Sequence, residues 1–252
     1  MQPSHDYQRV YVWQQPVRWF HWINALCIVV LGVTGYLIAH PLALMNADEA
    51  SFSYWFGVNR FVHFVTAYVF VGNFAFRLYW SLVGNKYASW RNFFPLTKAQ
   101  LEQVVHVIKV DILQMNHRPI HALGHNSVAY FTYAGTGLLT LFQIASGFAL
   151  YAPMSDAWFP QLFTWIVPLF GSEQNLRIFH YAVTWLFVIF TFIHIYLVFY
   201  HDYVEGHGVL TSIVGGWKFI EKHQAESDPA TGFSPLTRKS PAGPDPSPKK
   251  VV

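Results

Sequence analysis

The chain has 252 residues, 53% of them hydrophobic and only 12% charged. Soluble domains carry roughly twice that charge, and an aromatic content of 19% fits the aromatic belts of a membrane protein. The net charge of +3 forms no basic stripe, which argues against nucleic-acid binding, and a single cysteine, Cys27, excludes a disulfide framework, a cysteine-held iron–sulfur cluster and covalently attached haem.

Four segments reach the roughly 20 residues that a membrane-crossing helix needs. They are residues 17–39, 61–83, 128–151 and 178–200. The fold class they predict is all-α, an integral membrane four-helix bundle. The first apolar run is long and has no small-residue cleavage motif after it, so it reads as a span and not as a cleaved signal. The connection 84–126 holds one predicted helix. Thr97 and Gln100 form a capping box, and Leu101, Val104, Val105, Ile108 and Ile112 then recur on one helical face. That helix is expected on the membrane surface or against a partner. Residues 157–170 are apolar but interrupted by Pro160 and Pro168, which predicts an interfacial loop or short helix. Residues 209–220 read as a weaker amphipathic helix, opposed by Gly215 and Gly216. Residues 1–224 are expected to form one domain. From 225 to 252 the chain is rich in Pro, Ser, Asp and Lys, the composition of a disordered tail.

Basic residues set the expected orientation. Arg9 and Arg18 lie at the N-terminal side. Lys86, Arg91, Lys98, Lys109 and Arg118 fill the connection between spans two and three. Lys218, Lys222, Arg238, Lys239, Lys249 and Lys250 follow span four. The other two connections carry Asp48, Glu49, Asp156 and Glu173, with Arg60 and Arg177 at the span edges. Both termini and the middle loop are therefore expected to be cytoplasmic.

Three times an arginine stands three residues ahead of a histidine near the start of an apolar run: Arg18 and His21, Arg60 and His63, Arg177 and His180. One helical turn puts each pair on one face, with the arginine nearer water. A haem needs that arrangement, an imidazole for the iron and a guanidinium for a propionate. His194 follows His180 by fourteen residues, about 21 Å and nearly four whole turns, so both rings face the same way. With alternating spans, His63 and His180 share the outer depth, and His21 and His194 share the inner depth. Two bis-histidine b-type haems are the predicted cofactors, suited to passing electrons because no axial position stays open. Each feature has an ordinary reading too. A histidine in a span is often a polar contact or a proton-relay group, and an arginine at a span edge snorkels to the headgroups. The depth pairing is what separate core histidines would not produce. His201, on the face of His194, is a runner-up inner ligand or a quinone-site or surface residue. His125, Asn126 and Ser127 read first as a helix start with a capping side chain. Gly32, Gly35, Gly135, Gly137 and Gly147 would let helices or a flat ring system approach closely.

At these residues the chain resembles the b-type cytochrome subunit of membrane-bound nickel–iron (NiFe) uptake hydrogenases, over residues 11–220. The carrying motifs are Gln15-Pro16-Val17-Arg18-Trp19-Phe20-His21-Trp22, Val33-Thr34-Gly35-Tyr36, Arg77-Leu78-Tyr79-Trp80, Val83-Gly84-Asn85-Lys86-Tyr87, Gly124-His125-Asn126, Gly147-Phe148-Ala149-Leu150-Tyr151, and Phe179-His180 with Trp185 and His194-Ile195-Tyr196. The resemblance implies two b haems on His21, His63, His180 and His194, in the bacterial inner membrane. It implies docking to the hydrogenase small subunit, and through it the large subunit. Electrons would pass from the small subunit's iron–sulfur clusters to the outer haem, the inner haem and then quinone. The wider superfamily includes the formate dehydrogenase cytochrome subunit, where an asparagine matching Asn126 borders the quinone. Two positions depart from the family pattern. Tyr181 stands where a basic residue often follows the fourth-span ligand, and Tyr200-His201-Asp202 stands where Arg-Glu-Asp is frequent. The chain would be an electron-transfer subunit and not the hydrogen-activating one, since it lacks a cysteine set for nickel. The competing readings are the cytochrome anchor of another oxidoreductase such as formate dehydrogenase, a transporter with a histidine-lined pore, and a passive structural anchor.

Overall fold

A computed structural model describes residues 7–41, 54–85, 88–89, 127–205 and 208–221. In chain order the elements are β1 (Tyr7–Tyr11), α1 (Gln15–Ala39), α2 (Trp55–Val83), α3 (Ser127–Tyr151), a 3-10 turn (Ala152–Met154), α4 (Trp158–Gln161), α5 (Ile166–Leu169), α6 (Glu173–Glu205), α7 (Val209–Gly215) and β2 (Trp217–Glu221). The structure is mostly helical. Four helices, α1, α2, α3 and α6, are long and apolar enough to cross a membrane. At most 28% of the apolar stretch of any one of them is buried within the protein, so most of that apolar surface faces outward, as it would toward lipid.

The long helices pair as two hairpins. α1 packs along α2, α3 packs along α6, and α1 also touches α6. Two buried asparagines of α2 tie the first hairpin together. Asn59 Nδ2 donates to the Thr34 carbonyl and Asn73 Nδ2 to the Phe20 carbonyl, each at 3.1 Å. Gln143 ties the second, its amide donating to the His180 carbonyl at 3.2 Å and to Thr184 Oγ1 at 2.9 Å. In hydrocarbon no water competes for such donors, so they find partners within the protein.

α2 and α6 exceed the predicted spans at both or one of their ends. α2 starts six residues earlier than expected, and α6 extends five residues beyond each expected limit. The added turns carry Asn59, Arg60, Gln174, Asn175 and Asp202. Polar turns of this kind continue a helix past the apolar slab, where hydropathy alone loses it. Residues 157–170 form the short helices α4 and α5, folded against the end of α3. Ala149, Ile166 and Leu176 make a small core there, with Phe163 and Phe170 against it. We call this the far end of the molecule.

The opposite end departs from the expected all-α fold. β1 and β2 form a two-stranded antiparallel sheet, with Tyr7 opposite Glu221 and Tyr11 opposite Trp217. Residues 209–220, expected as one weak helix, divide at Gly216 into α7 and β2. Gly216 has φ +88°, and a Cβ there would lie 2.5 Å from the Tyr11 ring and 2.8 Å from the Trp13 carbonyl. Its carbonyl accepts from Val12 N at 2.9 Å and Trp13 N at 3.1 Å. The Arg9 guanidinium lies 4.1 Å from the Trp217 ring centroid. Nearby, Gln14 Oε1 accepts from Trp80 Nε1 at 3.1 Å and Asn85 N at 3.0 Å, and Asn85 Nδ2 donates to the Val12 carbonyl at 3.1 Å. The chain's two paired strands thus lie at one end, together with the start of α1 and the close of α2. The predicted helix of residues 101–112 and the predicted tail of residues 225–252 lie outside the described residues.

Gly216→Ala is expected to destabilise this sheet end. The left-handed backbone costs a non-glycine residue about 1–2 kcal/mol, and the new Cβ must push Tyr11 aside. Faster hydrogen exchange at the strand amides, with the long helices unchanged, is the expected readout.

Candidate functional site

The four histidines singled out by spacing meet in two pairs, and each pair takes one ring from each hairpin. His21 of α1 and His194 of α6 have ring centroids 6.3 Å apart at the sheet end. His63 of α2 and His180 of α6 both line one cavity toward the far end. Two imidazoles bound on opposite sides of one metal atom, at a metal–nitrogen distance of about 2.0–2.1 Å as at zinc, put their centroids roughly 6 Å apart. The sheet-end pair is spaced accordingly. Among the described residues no group of three or more His, Cys, Asp or Glu could hold a metal ion. The histidines come in twos, a set that could hold a metal only if the metal brought further ligands of its own.

The far-end cavity is about 590 Å³ and receives side chains from α1, α2, α3 and α6. That lies within the range of about 300–1,000 Å³ usual for cofactor and small-molecule sites. Its wall is mainly apolar, with Ile28, Leu31, Phe64, Phe148 and Val188 among the lining residues. Each histidine here is held by a hydroxyl on the neighbouring helix. Thr34 Oγ1 lies 2.8 Å from His63 Nδ1, and Ser146 Oγ lies 2.8 Å from His180 Nδ1. Each hydroxyl is followed by a glycine under the same ring. A Cβ on Gly35 would lie 3.2 Å from His63 Cε1, and one on Gly147 would lie 3.1 Å from His180 Cε1. By contrast a Cβ on Gly32, Gly135 or Gly137 would meet nothing within 4 Å, so no contact between the described helices requires those three. Gln143 Oε1 is buried in the same wall without a partner, and Gln143 Nε2 lies 3.4 Å from His180 Nε2.

The arginines differ in what they touch. Arg60 and Arg177 line the far-end cavity beside the histidines that follow them. Arg60 also contacts Met154 Sδ and sits 5.8 Å from the Phe64 ring centroid. Arg18 instead spends Nη1 on the Val214 carbonyl, at the close of α7, and its Nε is buried without a partner among the described residues. His21 Nδ1 is likewise buried without a partner among the described residues. His194 stacks on Phe190 at 5.5 Å. Asn126, the residue expected near quinone, lies outside the described residues. His201 stands within α6, with its side chain not described. Sequence reasoning missed Thr34, Ser146 and Gln143. The available signal was a hydroxyl residue immediately ahead of a glycine in two different spans.

A b-type haem fits the far-end residues. Two glycines leave both histidine rings backed against bare helix, a cradle that a Cβ would fill. The cavity between the rings is of cofactor size and apolar, with two arginines along it.

Comparison with known proteins identifies the family. The family described as prokaryotic cytochrome b561 matches residues 12–216. A protein of Azotobacter vinelandii named probable Ni/Fe-hydrogenase B-type cytochrome subunit is 38% identical over 218 residues, 84% of this chain and 89% of its own length. A protein of the same name from Cupriavidus necator is 34% identical over 212 residues, 82% of this chain and 86% of its own. The probable Ni/Fe-hydrogenase 1 B-type cytochrome subunit of Escherichia coli K12 is 32% identical over 212 residues, 82% and 90% of the two lengths. The family match spans all four long helices and both histidine pairs, and the chain belongs to the prokaryotic cytochrome b561 family, among the Ni/Fe-hydrogenase B-type cytochrome subunits.

Proposed function

We propose that this chain is the di-haem membrane subunit of a nickel–iron hydrogenase, passing electrons from the iron–sulfur clusters of the small subunit to quinone. The observation that carries the reading is the meeting of four histidines in two pairs, one ring from each hairpin, at two depths along α6. The names of its relatives support the hydrogenase partner.

When bound, each haem supplies a one-electron carrier. The protein's own groups do the rest. His63 and His180 would hold the outer haem and His21 and His194 the inner one, and a haem held by two histidines would serve electron transfer and not substrate binding. Arg60 and Arg177 bring positive charge to the outer cavity, where two propionates would need it; Arg18 has the same spacing to His21 but gives Nη1 to the Val214 carbonyl. The apolar wall excludes water. The fourteen residues from His180 to His194 set the two sites about 21 Å apart along α6, so electrons need cross only the gap between two flat ring systems. The distribution of Lys and Arg supports cytoplasmic termini in the bacterial inner membrane, with the far end outside and the sheet end inside. Quinone reduction then belongs to the cytoplasmic end, where Asn126 and His201 are the candidate residues. Hydrogen chemistry belongs to the partner.

A reduced-minus-oxidised optical spectrum with a pyridine haemochrome assay tests the reading: about two low-spin b haems per chain are expected, and no haem in a folded, haem-replete preparation sinks it. His63→Ala or His180→Ala is expected to remove one haem, and His21→Ala or His194→Ala the other. Hydrogen-driven quinone reduction should be lost in all four, whereas hydrogen oxidation with an artificial dye in the whole complex survives, because the dye takes electrons upstream. Retention of both haems in every variant would overturn the ligand assignment.

Gly147→Val tests the cradle separately. Its Cβ lies 3.1 Å from His180 Cε1 before the methyls are counted. Outer-haem occupancy is expected to fall by half or more while the inner haem keeps its spectrum. Full occupancy would count against ligation by His180.

A further inference from the structure

The two outer histidines are held by the same device, built twice. In the first hairpin, Thr34-Gly35 of α1 faces His63 of α2. In the second, Ser146-Gly147 of α3 faces His180 of α6. In both, the hydroxyl meets Nδ1 at 2.8 Å and the glycine lets the ring edge lie against the helix.

Proton counting fixes the direction of these bonds. A hydroxyl has one proton to give and can accept as well. Thr34 Oγ1 lies 2.6 Å from the Val30 carbonyl, and Ser146 Oγ lies 2.7 Å from the Phe142 carbonyl. Two oxygens so close repel unless a proton lies between them, so each hydroxyl donates to its own helix four residues back. Toward the histidine it can then only accept. Nδ1 therefore carries the ring proton in His63 and in His180, and the Nε2 lone pair is the one left for a metal. At the sheet end the device is absent among the described residues. Among the described residues His21 Nδ1 is buried without a partner.

We propose that Thr34 and Ser146 are positioning residues that set the tautomer of His63 and His180 and lower the reduction potential of the outer haem relative to the inner one. The inference rests on the di-haem reading above. A ligating imidazole that donates its second N–H to an acceptor is a better electron donor to its metal and favours the oxidised state. Two such bonds at the outer site, and none at His21, bias an electron toward the inner site. The direction of flow is thus written into two hydroxyl groups that touch neither iron nor quinone.

The test is a redox titration of the holo-subunit in its complex, comparing wild type with Thr34→Val, Ser146→Ala and the double variant. The outer haem is identified beforehand as the one that His63→Ala removes. The expected result is that this haem becomes easier to reduce, by roughly tenfold in the double variant, or about 59 mV for a one-electron couple. The inner haem should not move, and Thr34→Ser and Ser146→Thr should restore wild-type values. Outer-haem loss in Thr34→Val or Ser146→Ala that the conservative variants repair, with the wild-type potential, supports the proposal too. Unchanged potentials with both haems bound overturn it, as do equal shifts of both haems or failure of the conservative variants to restore. Failure of the di-haem reading looks different: the wild-type subunit binds no haem, or His63→Ala removes none.

Discussion

A bilayer core offers no hydrogen-bond partners, and that constraint organises this molecule. A polar side chain placed in the spans is costly unless another part of the protein, or a bound group, answers it. Asn59 and Asn73 answer the carbonyls of Thr34 and Phe20, and the two donors and the two acceptors are each fourteen residues apart. The same interval separates His180 from His194 and His21 from Gly35. Fourteen residues is close to four turns, so whatever face a helix presents at one depth it presents again about 21 Å further on. The asparagines lock α1 against α2 in a single antiparallel register. That register brings Thr34 to the ring of His63 and leaves His21 free to face α6.

The second consequence of the constraint is where the space lies. Contacts within each hairpin are extensive, and the cavity opens between the hairpins, where all four long helices contribute to its wall. A group gripped by one histidine from each side would join two halves that otherwise meet chiefly through α1 and α6. Its binding would add to the stability of the folded state by mass action, since the separated hairpins offer only half a site each. Loss of either ligand would then weaken the bundle as well as empty the site.

Much of this was readable from residues alone. Hydropathy marked all four spans, because long apolar runs have no other use in a chain this poor in charge. The pairing of His21 with His194 and of His63 with His180 was expected from depth and alternating direction; in the structure the first two rings lie 6.3 Å apart and the second two line one cavity. The strand pair was not readable: each strand has five residues, and they are joined across some two hundred, so no local period announces them. Thr34 and Ser146 were hidden for another reason. A hydroxyl in a membrane helix usually caps its own turn, as both do here, and only the neighbouring helix shows what else it holds. Arg18 looked like its two counterparts, yet the Val214 carbonyl that takes its Nη1 comes from the far side of the sequence.

The strand pair carries a consequence for how the molecule is made. β1 precedes the first span and β2 follows the last, so the sheet, the Arg18–Val214 contact and the turn at Gly216 can form only after all four spans have left the ribosome. Contacts of such long sequence separation are closed last, because their loop entropy is not repaid until the intervening chain has ordered. By that argument the clasp that draws the two hairpins together at the sheet end is the last part of the fold to close.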